Sequence, residues 1–225
     1  ETDRLSLKHK IILDIEARAL ARGAYRRVIV NSSFVREDVI RRYGVDEDRI
    51  SVIRNAVDLE RYHPRHRETA GLELRRTLGM DADTGPVILF LGTAFGRKGL
   101  DILLAAFAQL RERVPAARLM VVGRDASPGR WKREARALGL GESVHFLGPR
   151  ADTEACYGAA DLYVLPSRYD SFAYTVLEAM ASGVPVVVSD AAGAADVVTD
   201  GAGTVVPWTI APDALCEVLA DWCEP

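Results

Sequence analysis

Val87-Ile-Leu-Phe-Leu-Gly-Thr-Ala-Phe-Gly-Arg-Lys-Gly-Leu100 is the stretch that decides the fold. Its first five residues are apolar without alternation, so a strand here meets a core on both faces, as in a parallel sheet covered by helices on both sides. Gly92 and Gly96 give the chain freedom to turn tightly. From Leu100 to Arg113 apolar residues return at helical spacing. Strand, short turn and helix form the repeating unit of an α/β sheet, whose ligands sit beyond the carboxyl ends of the strands. Arg97 and Lys98 stand where the turn becomes helix. A helix start disfavours cations and favours anions, so the plain reading of a solvated Arg-Lys pair ranks below a pair held by a negative partner. Lys98 is one of only four lysines beside 25 arginines, a hint that its type matters.

The same unit recurs on the C-terminal side. Strands are predicted at 118–122, 143–147, 162–165, 184–188 and 204–206, with helices at 131–138, 152–159, around Glu178, weakly at 194–198, and at 212–222. On the N-terminal side a helix is expected over 5–22, with Leu5, Ile12, Ile15, Ala19 and Leu20 as buried positions. A strand at 28–30, a helix from Asn31-Ser-Ser33 to Tyr43 closed by Gly44, and a strand at 50–53 follow. Asp58 to Arg67 is polar, contains a proline and reads as a connection; a helix at 72–78 comes next. The expected architecture is α/β: residues 67–225 form a Rossmann-like parallel sheet with helices on both faces. Residues 1–66 form the end of a partial second Rossmann-like domain, because a complete one needs on the order of 100–150 residues. Residue 1 is Glu and helix is expected almost from the start, so the chain is expected to begin inside a longer protein.

A second segment, Pro166-Ser-Arg-Tyr-Asp-Ser-Phe-Ala-Tyr-Thr-Val-Leu-Glu178, follows another strand end. It places Asp170 in a loop and Glu178 in the next helix, which is expected to begin at Ser171 or Phe172. The amides of residues 171–174 then face the crevice and suit phosphate or sugar hydroxyls. A carboxylate accepts two hydrogen bonds, which matches a vicinal diol such as a ribose. Taken singly, Asp170 reads as a loop cap and Glu178 as a helix-start acid. Opposite a cationic turn, the pair describes a nucleotide-sugar pocket. Val121-Val-Gly-Arg-Asp125 supplies one glycine where a dinucleotide fingerprint needs three, and no Walker loop is present, so its expected role is a strand-end turn, with Arg124, near the nucleotide base.

Bulk properties narrow the classes. The 225 residues carry a net charge of −3, which argues against nucleic acid as the main partner. Cations are concentrated early, 17 basic against 13 acidic residues through residue 79 and 12 against 19 after it. Scattered solvated arginines explain that bias more simply than an acidic partner or a membrane face. No apolar run approaches the roughly 18 residues of a membrane span, and no signal peptide opens the chain. Cys156, Cys216 and Cys223 form no CxxC pair, and the default is a reduced, cytoplasmic setting without a structural disulfide. His63 and His66 read as exposed loop residues, and His145 as a packed edge residue. Gly183 to Asp190 with Ala191-Ala-Gly193 reads as a core strand and a glycine corner.

The ordered segments FGRKGLDILLAAFAQL, LMVVGRD, VHFLGPR and AADLYVLPSRYDSFAYTVLEAMASGVPVVVSDAAG resemble the C-terminal half of a retaining GT-B glycosyltransferase of family 4 type. FGRKG and AADL…P…LEA most resemble the bacterial lipopolysaccharide-core α-glucosyltransferases. The likeness runs over about residues 26–222 and includes RNAVDLERYHP at the domain junction. It implies that Arg97 and Lys98 contact the donor diphosphate, that Glu178 holds the ribose, and that Asp170 is the first acid of the acidic-x7-Glu motif beside the donor sugar. It makes Ser171, Phe172 and Ala173 backbone donors to phosphate and sugar, with Gly92, Gly96 and Arg124 also in the donor site. The implied catalytic groups are Arg97, Lys98 and Asp170. The resemblance implies no metal and no cofactor, since the two cations and the helix end neutralise the leaving group.

The expected reaction is transfer of a hexose, from UDP-glucose, to a glycan or lipopolysaccharide-core acceptor with retention. Residues 1–66 belong to the acceptor domain, and the cytoplasmic location extends to peripheral contact with the inner membrane face through a lipid-linked acceptor. The chain alone is then mainly the donor-binding part and transfers no sugar. A GT-B-fold epimerase or phosphorylase and a non-catalytic nucleotide-sugar-binding protein stay as alternatives. Three departures from the family pattern stand out: Asp170 where Glu is usual, Ala173 where Gly is common, and Asn55-Ala56 for a frequent Asn-Gly.

Overall fold

The computed structural model describes residues 7–80 and 84–223. They fall into two compact units, Glu1–Asn55 and Ala56–Pro225.

The first unit contains α1 (Leu7–Ala19), β1 (Val28–Val30), α2 (Ser33–Tyr43) and β2 (Ile50–Val52), with β1 and β2 paired in parallel from Val28 opposite Ile50. The N-terminus of α2 is set by Ser32, whose Oγ accepts the Val35 amide at 3.1 Å. Its C-terminus is set by Gly44, in the left-handed region at φ 63°, which donates to the Ile40 carbonyl. A small core of Val30, Val45 and Ile50 lies beneath. The buried positions expected on the first helix are corrected: Ile12 and Ile15 are 50% and 61% exposed, Ala19 is exposed and Leu20 is half-buried. Leu5 lies outside the described residues. Two short strands and one other helix offer α1 little apolar surface to bury against.

The second unit is a six-stranded parallel sheet of order β5-β4-β3-β6-β7-β8. Its elements are α3 (Ala70–Thr77), β3 (Val87–Thr93), α4 (Leu100–Arg113), β4 (Arg118–Arg124), α5 (Pro128–Ala137), β5 (Val144–Gly148), α6 (Thr153–Ala159), β6 (Leu162–Leu165), α7 (Tyr174–Ala181), β7 (Val186–Ser189), β8 (Gly203–Val206) and α8 (Pro212–Cys223). The apolar runs are buried as their composition requires: Val87 to Phe90, Leu162 to Leu165 and Val186 to Val188 lie at the centre of the core. At about 1.5–3 kcal/mol for each large apolar side chain buried, these strands and the helix faces packed on them, such as Leu103, Leu104 and Phe107 of α4, stabilise the fold. The strand numbering reverses direction between β3 and β6, so the switch point lies at their carboxyl ends.

At the opposite end Asp161 fixes the same pair of strands. Its carboxylate accepts from the Val87 amide at 2.8 Å and from Arg75 at 2.7 Å, and its own amide donates to the Val87 carbonyl. The segment read as a polar connection lies on α6. Tyr62 is buried with its hydroxyl 3.0 Å from Thr153 Oγ1, and Arg61 donates to Glu154 and the Ala151 carbonyl. His145 is half-buried on the edge strand β5, and the three cysteines are free and buried. Among the described residues no helix is long and apolar enough to cross a membrane, and no group of three or more His, Cys, Asp or Glu residues is placed to hold a metal ion.

Candidate active site

The two segments singled out in the sequence emerge from adjacent strands, β3 and β6, and are bolted together. The Arg168 amide donates to the Arg97 carbonyl at 2.9 Å, and Arg97 Nη1 donates to the Tyr169 carbonyl at 2.7 Å. Arg168 also forks onto Asp101, at 2.9 and 2.7 Å, and reaches the Gly96 carbonyl. Asp101 is the acid in the first turn of α4. Burial would raise its pKa, but the Arg168 guanidinium and the amides of the helix start hold it below the ordinary carboxylate value. That helix start, expected to receive an external anion, therefore holds one of its own.

Lys98 is buried, and its ammonium is in contact with Asp170 Oδ2. Burial, with the Arg97 charge beside it, pulls the Lys98 pKa down to about 8. The Asp170 carboxylate acts in the opposite direction and favours the ammonium. The negative partner expected for this cation is thus present inside the protein. Asp170 Oδ1 meanwhile accepts from the amides of Phe172 and Ala173 at 3.2 and 3.0 Å. The helix expected to begin at Ser171 or Phe172 begins at Tyr174, and two of the amides expected to face a ligand are capped by Asp170. Asp170 is a loop cap and an ion-pair partner at once.

The glycine reading is also revised. Gly92 and Gly96 do not adopt positive φ, and a Cβ on either would meet side chains at ordinary contact distance, 3.5 and 3.6 Å. The positions that demand glycine are Gly99, at φ 80° with room for a Cβ only 2.1 Å from the Pro166 carbonyl oxygen, and Gly123, at φ 125° and 1.8 Å from the Gly92 oxygen. Gly92 therefore serves as the close neighbour of a glycine that must be one. Two alanines take the left-handed region instead: Ala94 in the first loop at φ 56°, and Ala173 in the second at φ 67°.

Each loop is supported by a further strand end: that of β4, expected near the nucleotide base, and that of β7, which sequence reasoning did not assign to the site. Asp125, after β4, accepts the Phe95 amide at 2.8 Å and the Ser127 amide at 2.8 Å. Those bonds outweigh its partial burial and lower its pKa. Arg124 is exposed at the end of β4, opposite Thr93, and its carbonyl accepts the Ala94 amide. On the other side the corner after β7 is a clamp. Asp170 donates to the Ala191 carbonyl, Gly193 donates back to Asp170, and Ser189 Oγ holds the Ser167 carbonyl at 2.6 Å. Its small residues permit that approach. Beside the first loop, Phe95, Gly123, Asp125, Lys132, Phe146 and Gly148 border a cleft of about 250 Å³. Glu178, half-buried in the second turn of α7, accepts from the Tyr157 hydroxyl at 2.7 Å. Ser171 is exposed and Phe172 is buried, its ring edge-on to Tyr174 at 5.6 Å.

The family model for glycosyl transferases group 1 matches residues 79–224, and that for glycosyltransferase family 4 matches residues 2–61. Among curated proteins, the chain is 36% identical over 192 residues to D-inositol 3-phosphate glycosyltransferase 2 of Catenulispora acidiphila, covering 80% of this chain and 44% of that protein. It is 38% identical over 185 residues to D-inositol 3-phosphate glycosyltransferase of Corynebacterium aurimucosum, covering 77% and 43%. Among solved structures, WaaG, a glycosyltransferase involved in lipopolysaccharide biosynthesis, superposes with a TM-score of 0.86 at 26% identity, over 100% of this chain and 61% of that one. Anabaena Alr3699/HepE in complex with UDP-glucose superposes at 0.80 and 28%, over 97% and 60%. The chain spans less than half the length of these curated relatives. Their names point to inositol phosphate, not to lipopolysaccharide core, so the narrower likeness expected from sequence is not singled out by them. With the group 1 match over residues 79–224 and the α/β sheet to carry it, the chain belongs to the group 1 glycosyl transferases of the GT-B fold.

Proposed function

We propose that residues 67–225 form the donor-binding domain of a retaining, nucleotide-sugar-dependent glycosyltransferase, and that residues 1–66 are the end of its acceptor domain and the linker. One observation carries the reading. At the β3/β6 switch point a buried ammonium, Lys98, and an exposed guanidinium, Arg97, stand on one loop, and the loop bolted to it carries Asp170 and leads to Glu178. A diphosphate satisfies the cations, and a ribose diol suits the acid.

In this reading the ligand-free site is self-neutralised, and the donor replaces internal partners. The diphosphate takes Lys98 and Arg97, which frees Asp170 to accept sugar hydroxyls. Amides at Ser171, Phe172 and Ala173 then turn to the phosphate and sugar. Charge developing on the departing diphosphate is stabilised by Lys98 and Arg97, a type of contribution worth about 3 kcal/mol per well-placed donor. The cleft beside Arg124 and Asp125 accommodates the base. No metal or cofactor is needed, because two side-chain cations do the work of one.

The solved relative holding UDP-glucose supports a UDP-hexose as donor. For the acceptor, the inositol phosphate relatives favour a phosphorylated cyclitol hydroxyl, and the likeness to WaaG favours a lipopolysaccharide-core glycan at the inner membrane face. The test is a donor panel against the full-length protein with each acceptor, products being read by mass spectrometry and anomeric configuration by NMR. Transfer of hexose from a UDP donor with retention is expected. Donor epimerisation, phosphorolysis or binding without transfer would each replace this reading.

A further inference from the structure

Glu178 is not held by its own helix alone. Tyr157, on α6, is fully buried and donates its hydroxyl to Glu178 Oε2 at 2.7 Å. The donor is itself fixed: its ring meets Tyr62 edge-on at 5.7 Å and Tyr163 at 6.0 Å. Tyr62 is anchored in turn through its hydroxyl to Thr153, on the same helix as Tyr157. Burial pushes the Tyr157 hydroxyl well above its ordinary pKa of 10, so it keeps its proton. A glutamate has three side-chain torsions to order before it can hold a ligand in one pose. A bond from a rigid phenol to Oε2 orders them in advance, and a carboxylate with several lone pairs still has acceptor capacity for the ligand. A tyrosine in this place is costly to bury without a partner, because its hydroxyl must be satisfied. Thr153-Glu-Ala-Cys-Tyr-Gly-Ala159 is otherwise a helix of mainly small residues, and the one large side chain is the one that reaches Glu178.

We infer that Tyr157 is a positioning residue for donor recognition, setting the Glu178 carboxylate against the ribose diol so that ribonucleotides are preferred to nucleotides lacking those hydroxyls. The inference rests on the reading of Glu178 as the ribose acid.

The experiment measures calorimetric Kd values for UDP and for 2′,3′-dideoxyuridine diphosphate with the full-length protein, wild type, Tyr157→Phe, Tyr163→Phe and Glu178→Gln. Tyr157→Phe keeps the ring and its contacts, and thermal midpoints are recorded alongside. It is expected to weaken UDP by about three- to tenfold, the worth of one hydrogen bond, and to leave the dideoxy compound unchanged. Tyr163→Phe removes a hydroxyl of the same cluster that serves Leu91 and Thr175, and should leave the preference at the wild-type value. Glu178→Gln should abolish it. If Tyr157→Phe weakens both nucleotides equally, or neither, the inference is overturned; a preference still lost in Glu178→Gln then leaves the ribose reading standing. A preference kept in Glu178→Gln overturns the ribose reading and the inference together.

Discussion

Ala173 carries a backbone conformation that its side chain resists. At φ 67° and ψ 73° an L-residue gives up about 1–2 kcal/mol relative to its favoured regions. The strain persists because Asp170 Oδ1 holds the Ala173 amide and the Phe172 carbonyl accepts from Ala194. Ala173→Gly removes the steric conflict and gives back part of the gain through the freer unfolded chain. The net expectation is a stabilisation of about 0.5–1 kcal/mol, seen in thermal denaturation as a rise of about 1–4 °C. Ala173→Val should shift the midpoint the other way, since branching at Cβ deepens the conflict. Lys98 and Asp170 illustrate a different point. Each is a buried charge that stays affordable because the other is there, so neither is idle before a ligand arrives.

At the scale of elements, the loops after β3 and β6 act as one body because Arg97 and Arg168 reach across in opposite directions. Arg168→Met keeps the stem and deletes the fork onto Asp101. It should weaken UDP binding by about three- to tenfold through misplacement of Lys98 and Arg97. Asp101→Asn should cost a similar factor, and the double variant should be no worse than either single one, because the residues act as a pair. Calorimetry of the four proteins checks this; additive losses would show that the two side chains act separately. The elements themselves were legible. Short apolar runs such as Val87 to Leu91 and Leu162 to Leu165, alternating with helical patterns, read as buried strands, and Gly44 marks a helix end by its backbone chemistry; Pro128, where α5 begins, lies ahead of the start read from sequence at residue 131. The bracing was not legible. Arg168, Asp125 and Tyr157 act on residues far away in the chain, or close only through a turn, and pattern carries no record of such pairings. The glycine argument failed for a related reason: Gly99 is set by the distance to the loop backbone at Pro166 and Gly123 by the distance to the β3 backbone at Gly92, which no local rule contains.

The whole second unit converges on its switch point. Asp161 ties β3 to β6 at one end, and the cationic and acidic loops meet at the other, so one pair of strands sets the site at both ends. The first unit is smaller, and its α1 leaves Ile11, Ile12 and Ile15 more than 50% or at 50% exposed, which is why an amphipathic reading of that helix did not translate into burial within it. The alternation of strands and helices along the sequence identified the α/β architecture, because each such unit adds one parallel strand to the sheet. The self-neutralised state of the site was invisible, because a cation and an acid 72 positions apart say nothing of each other until the loops are folded. The central claim is that Lys98 exchanges Asp170 for a donor diphosphate. Calorimetric titration of UDP-glucose into the full-length protein and its Lys98→Ala variant tests it most directly. The variant loses the cation and leaves Asp170 unpaired beside the phosphates, so affinity should fall at least about tenfold. Equal affinities in the two proteins would contradict the account.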